Sequence, residues 1–173
     1  MIVWLNGPFG AGKTTVAGEL GRRRPDLVEF DTERVGFLLQ PVLNSRRPVD
    51  DFQEWPAWRR LVVATIRELA RELASDILVP QTVLVEGFWR EIRTGLVGSG
   101  LEVRAFTLHV DPVEHARRID ADRVDAQAAG WRHRRLPDYD RARSWLERET
   151  TVIDTTSTAP DRVADLILDH TRL

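Results

Sequence analysis

The residues most able to do chemistry stand together near the N-terminus, in the string Gly7-Pro8-Phe9-Gly10-Ala11-Gly12-Lys13-Thr14. Its spacing is G-x-x-x-x-G-K-[ST], in which a glycine-rich turn aims backbone N–H groups at phosphate oxygens and the lysine reaches the β and γ phosphates. Such a string arises by chance in roughly one chain of this length in several hundred. Here it also lies between an apolar run, Ile2 to Leu5, and a helical stretch from Lys13 to about Arg24, whose N-terminal dipole favours anions. Gly7 through Thr15 are therefore expected to hold ATP or a similar nucleotide, with Thr14 ligating magnesium. Pro8 and Phe9 occupy variable loop positions, where packing suffices to explain them.

Asp31 ends a second apolar run, Leu27 to Phe30, so its carboxylate is expected in the same crevice. There it could accept the proton of an attacking hydroxyl, or cap the helix that follows, or do both. Arg117, Arg118, Arg123, Arg132, Arg134 and Arg135 cluster beyond the fourth strand, around the small residues Ala128, Ala129 and Gly130. This reads as a lid at 123–137 whose guanidinium groups neutralise transferring phosphate, Arg118 and Arg123 being the first choices. The stretch Asp50-Asp51-Phe52-Gln53-Glu54-Trp55-Pro56-Ala57-Trp58-Arg59 mixes indoles, acids and an amide. That suits a polar ring compound, and it equally suits a helix N-terminus with its tryptophans in the core. Trp131 and Trp145 have weaker claims. No aspartate after a long apolar strand marks a second metal ligand, although Glu86, Asp111 and Asp154 lie near strand ends.

The elements that must position these groups follow from periodicity. Short apolar runs at Ile77 to Val79, Val103 to Val110 and Thr151 to Ile153 read as further strands, the first extending at most to Val85. Leu61, Thr65, Ile66, Leu69 and Leu73 mark a helix over 60–74, and a brief helix is expected over 33–39. Asp111-Pro112-Val113-Glu114 and Thr158-Ala159-Pro160-Asp161 are helix starts, with a capping side chain, a proline and an acid in order. Strands separated by helices predict an α/β fold of three layers: a mainly parallel five-stranded sheet of the P-loop NTPase type, with ligands at the carboxyl ends of the strands.

The chain has 173 residues with 42% hydrophobic and 30% charged side chains, the balance of one globular domain spanning 1–173. A net charge of -2 gives no extended basic track and argues against a nucleic-acid partner. The absence of cysteine excludes disulfides and thiolate metal sites, and four histidines without paired spacing predict no metal centre of their own. No signal peptide or membrane span is legible, so a cytoplasmic enzyme without stable membrane insertion is expected.

Several of these stretches together resemble the tunicamycin-resistance ATP-binding protein family, among the P-loop small-molecule and antibiotic phosphotransferases. The likeness rests on Ile2-Val3-Trp4-Leu5-Asn6-Gly7 leading into Phe9-Gly10 and Gly12-Lys13-Thr14, then Asp31 and Glu33 before Gly36-Phe37. Asp50-Asp51-Phe52-Gln53, Pro56, Trp58-Arg59, Val79-Pro80 with Thr82, and Phe106-Thr107-Leu108 continue it. The resemblance implies phosphorylation of tunicamycin on a sugar hydroxyl, with Asp31, Phe37, Asp51, Phe52, Gln53, Trp58 and Arg59 binding the acceptor. It also implies an apolar exit for the drug's acyl chain along Phe37, Leu38, Leu39 and Val42. Some relatives continue beyond the last helix into a segment that could bind a membrane surface; this sequence stops at Leu173, which leaves association with a membrane surface open. The alternatives are a kinase acting on UDP-N-acetylglucosamine or a similar sugar nucleotide, and a protein that sequesters the drug without turnover.

Overall fold

The computed structural model describes residues 1–121 and 129–171, the side chains of 129–135 excepted. Five parallel strands, β1 (Ile2–Asn6), β2 (Val28–Glu29), β3 (Ile77–Pro80), β4 (Val103–His109) and β5 (Thr151–Asp154), form one sheet in the order β2-β3-β1-β4-β5. The helices are α1 (Lys13–Arg23), α2 (Glu33–Leu43), α3 (Pro56–Leu73), α4 (Glu86–Gly98), α5 (Pro112–Ala121), α6 (Ala129–Glu149) and α7 (Pro160–Thr171). A 3-10 turn, Phe52–Glu54, precedes α3.

Side-chain alternation along the central strand explains the three layers. Ile2 and Trp4 of β1 point to one core, with Ile77 and Val79 of β3, while Val3 and Leu5 point to the other with Leu78, Phe106 and Leu108. Helices fill both faces with apolar stripes at helical spacing. Val16, Ala17 and Leu20 of α1 join Val163, Ala164 and Ile167 of α7 on one side. Trp58, Val62 and Ile66 of α3 meet Trp89, Ile92 and Leu96 of α4 on the other.

Several boundaries differ from the sequence reading. Helix α3 begins at Pro56, so the second half of the aromatic stretch is helical. Helix α2 continues past Pro41 to Leu43, losing one N–H bond without ending. Strand β3 stops at Pro80. Helix α4 was not legible because Gly87, Gly95 and Gly98 dilute its pattern, although Trp89, Ile92 and Leu96 carry the period. Of the stretch 123–137 read as a lid, residues 123–128 lie outside the described residues and 129–137 begin α6.

Candidate active site

The phosphate loop leaves β1 at Asn6, which is fully buried. Asn6 Oδ1 accepts from the N–H groups of Gly7 and Val83, and its Nδ2 donates to Val83 O, each at 2.8 Å. One amide thus ties the start of the loop to the chain after β3. Gly7 has φ +133°, and a Cβ there would sit 2.6 Å from Leu108 O, so only glycine fits. Lys13 Nζ donates to Gly7 O and Pro8 O at 2.9 Å and lies 5.5 Å over the Phe9 ring, which folds the ammonium onto the loop it is meant to serve.

The far side of the loop is held by β5 and α5. The Thr155 hydroxyl lies 2.8 Å from His109 O and 3.3 Å from Ala11 O. His115, buried on α5, bonds Phe9 O through Nε2; the carbonyl can only accept, so this nitrogen carries the proton. Arg118 donates to Thr155 O at 2.6 Å and to Glu114 at 2.8 Å, and Arg117 also pairs with Glu114. Those two guanidinium groups, Arg117 foremost, hold the Glu114 carboxyl at about 2, well below its usual 4.5.

A crevice of about 1110 Å³ runs across the loop. One end is walled by Arg117, Arg118, Ala121, Thr155, Thr158 and Pro160; the other by Glu33, Phe37, Asp50, Asp51, Phe52, Gln53, Trp58, Gln81 and Thr82. Gly10 to Thr15 form the floor between them. Cationic side chains line the first end, and carboxylates, aromatic rings and amides line the second.

At the second end the structure places the expected residues differently from one another. Asp31 is half exposed and is not among the lining residues. Its carboxylate accepts from Glu33 N–H at 2.9 Å and lies 3.8 Å from Arg34, so the cap of α2 is the geometry observed. Glu33 reaches the crevice instead. Its surface is open to solvent, yet the concave walls thin its hydration. That crowding raises its pKa, as do the Asp31 and Asp51 carboxylates, against the pull of Lys13. The two indoles are core: Trp55 is 2% and Trp58 1% exposed. Their N–H groups donate to Arg47 O and Thr32 O. Trp58 still forms part of the crevice wall.

Arg59 is a strut rather than a lining residue. It pairs with Glu91 at 2.5 Å, donates to Gln53 O, and lies 4.2 Å from the Phe88 ring centre. Gln53 in turn donates to Thr82 O at 2.9 Å, and the Thr82 hydroxyl donates to Gly7 O at 2.8 Å. A chain of bonds therefore runs from α3 to the first glycine of the loop. Asp51 caps the 3-10 turn with its carboxylate on Gln53 N–H. Gly36 is dictated by sterics: a Cβ would fall 1.9 Å from Cδ2 of Phe52. Phe37 meets Phe52 edge-on with ring centres 5.5 Å apart. Phe37, Leu38 and Val42 are well exposed along α2, whereas Leu39 packs on the core.

Sequence reasoning gave Asn6, Thr82, His115 and Thr155 no place in the site; for Asn6, Thr82 and Thr155 a position at or just past a strand end was the only hint, and for His115 on α5 there was none. Arg123 lies outside the described residues, as do the side chains of Arg132, Arg134 and Arg135. No group of three or more metal-ligating side chains occurs among the described residues. A magnesium ion here would rest on the Thr14 hydroxyl, phosphate oxygens and water, a hard-oxygen set that suits it. No helix among the described residues is long and apolar enough to cross a membrane.

Comparison with known proteins agrees with this architecture. The family model described as AAA domain matches residues 2–133. The structure of the Deinococcus radiodurans tunicamycin resistance protein superposes with a TM-score of 0.77 at 30% identity, covering 99% of this chain and 95% of that one. A probable adenylyl-sulfate kinase of Pyrococcus abyssi is 25% identical over 170 residues, 96% of this chain and 91% of its own. The Mycobacterium tuberculosis APS kinase, in complex with AMPPNP and APS, shares the fold at TM-score 0.59 and 16% identity, covering 97% of this chain and 95% of that one.

Proposed function

We infer the function from one premise: the chain belongs to the AAA-domain family, and within it to the kinase-like group of the tunicamycin resistance protein. Its relatives support an ATP-dependent, kinase-like activity. The finer reading is transfer of the γ-phosphoryl group of ATP to a sugar hydroxyl of tunicamycin, which would disarm the drug. The observation that carries it is that Lys13 of the loop and Glu33 of α2 line one crevice in a chain 30% identical to a tunicamycin resistance protein.

In this reading Glu33 takes the proton of the acceptor hydroxyl as that oxygen bonds to the γ-phosphorus. The bond from that phosphorus to the β–γ bridging oxygen breaks, and ADP leaves with the electron pair. Lys13 leaves the loop carbonyls for the β and γ oxygens, and Arg118 on the nucleotide side adds positive charge. Magnesium, when bound beside Thr14, adds charge neutralisation at the same oxygens. Asp31 fixes the first turn of α2 and so aims Glu33. Gln53, Thr82 and Arg59 set the acceptor wall relative to Gly7.

Mass spectrometry of tunicamycin incubated with the protein, ATP and magnesium tests this directly. A gain of one phosphate, lost with Lys13→Ala, is expected. Drug binding without any mass gain would instead mean sequestration, and transfer to UDP-N-acetylglucosamine alone would make it a sugar-nucleotide kinase.

A further inference from the structure

We propose that the acceptor end of the crevice selects an uncharged, polyhydroxylated acceptor and turns away phosphorylated or carboxylated ones. This rests on the kinase reading of the same site and adds the side chains that impose the choice of acceptor, Asp50 and Asp51 beside Glu33. The charged groups that line the crevice are sorted by sign. Lys13, Arg117 and Arg118 stand at the loop and on its α5 side, whereas Glu33, Asp50 and Asp51 stand on the acceptor side. Among the described residues, no arginine or lysine lines that side.

A second observation removes the cation that sequence alone would offer. Arg59 lies in the same stretch as Asp50 and Asp51, but its side chain is 9% exposed and committed to Glu91, Gln53 O and the Phe88 ring. It cannot turn to an anion without uncoupling the strut that holds Gln53 and Thr82. What remains for recognition is the exposed Phe37 ring with the Phe52 ring beside it, and the Glu33, Asp50 and Asp51 carboxylates as acceptors. These are surfaces for an uncharged ring and for sugar hydroxyls. An acceptor phosphate would enter beside three carboxylates while Lys13 is engaged by the donor nucleotide. The same polarity gives ATP one orientation, since its phosphates are repelled from the acceptor end.

Calorimetric titration of the whole protein, loaded with magnesium and AMPPNP, tests the selection without relying on turnover. The probes are tunicamycin, an uncharged nucleoside glycolipid, and UDP-N-acetylglucosamine, which carries a diphosphate. Tunicamycin is expected to bind at least about 100-fold tighter, and moving from low to high salt should narrow the gap, because charge repulsion in a crevice that water enters is screened. The double variant D50N/D51N should narrow it about tenfold, the amides keeping the cap on Gln53 N–H. Should that variant fail to fold, D50N alone, at an exposed position, must still narrow the gap. Equal or tighter binding of the diphosphate overturns the proposal, as does a gap indifferent to both salt and D50N. Binding of neither probe overturns the assignment of this end as the acceptor site. Phosphate transfer is scored separately: no transfer with the binding preference intact sinks the kinase reading alone, and equal transfer to both probes sinks the selection alone.

Discussion

The two ends of the crevice are built in different ways. The nucleotide end rests on one continuous segment, the loop Gly7 to Thr15, braced from behind by Thr155 and His115, and only the wall beyond it comes from α5, α7 and the chain after β5. The acceptor end is assembled from the start of α2, the 3-10 turn, the first turn of α3 and the chain after β3, joined through the Gln53, Thr82 and Gly7 bonds. Backbone chemistry must be written as a contiguous motif with glycines at fixed spacing. Side-chain chemistry leaves spacing free, because tertiary structure does the gathering. The first end suits any phosphate donor, and the second is where members of such a family can diverge.

Glu33→Gln puts the largest strain on that division. It removes the proposed base at the acceptor end, and transfer should fall by about 10²–10⁴-fold, while ATP binding measured by calorimetry stays within about twofold. Asp31→Asn keeps an oxygen on Glu33 N–H, and it should lose no more than about tenfold in kcat because it acts through the aim of Glu33. The reverse order of the two variants would restore Asp31 as the base. A loss of ATP affinity in Glu33→Gln would mean that the two ends are not separable.

A smaller effect is expected from Gly36→Ala. The new methyl would collide with the Phe52 ring 1.9 Å away, costing about 1–3 kcal/mol of stability by overpacking and loosening the wall carried by Phe37 and Phe52. Thermal unfolding reads the first consequence. A rise in KM for the acceptor, with KM for ATP unchanged, reads the second. Unaltered melting would show that Phe52 swings away freely and that the wall is softer than its packing implies.

How much of this was legible follows the same division. The strand, loop and helix around Lys13 were readable because motif and hydrophobic period agree, and the sheet followed from apolar runs separated by helices. Asp31 drew attention because it ends a strand, but a strand end places a residue only to within a position or two. Two residues on, the turn into α2 sends Glu33 into the crevice and leaves Asp31 to cap. Trp58 and Arg59 looked like ligand contacts by residue type. Helical placement buries the indole, and Glu91, 32 residues away in sequence, claims the guanidinium. His115 looked unremarkable because its partner is a carbonyl 106 residues distant. The placements of Trp58, Arg59 and His115 turn on long-range partners that local patterning does not encode, whereas that of Asp31 turns on a shift of two residues at the start of α2.

The mildest test concerns pH. Crowding and the Asp31 and Asp51 carboxylates raise the Glu33 pKa above the usual 4.5, and Lys13 opposes them. A base must be deprotonated, so the acid limb of kcat/KM should fall at a pH above the ordinary glutamate range. Stability runs the other way. The folded state holds this proton more tightly than the unfolded chain, so the contribution is full below 4.5 and is lost as pH rises through the elevated value. Asp51→Asn removes one repelling charge while its amide oxygen still caps Gln53 N–H, and should move the acid limb to lower pH. A pH–rate profile of that variant beside the parent decides the matter. A limb that moves to higher pH, or stays in place, would mean that the titrating base is not the carboxylate facing Asp51, and the acceptor end would have to find its base elsewhere.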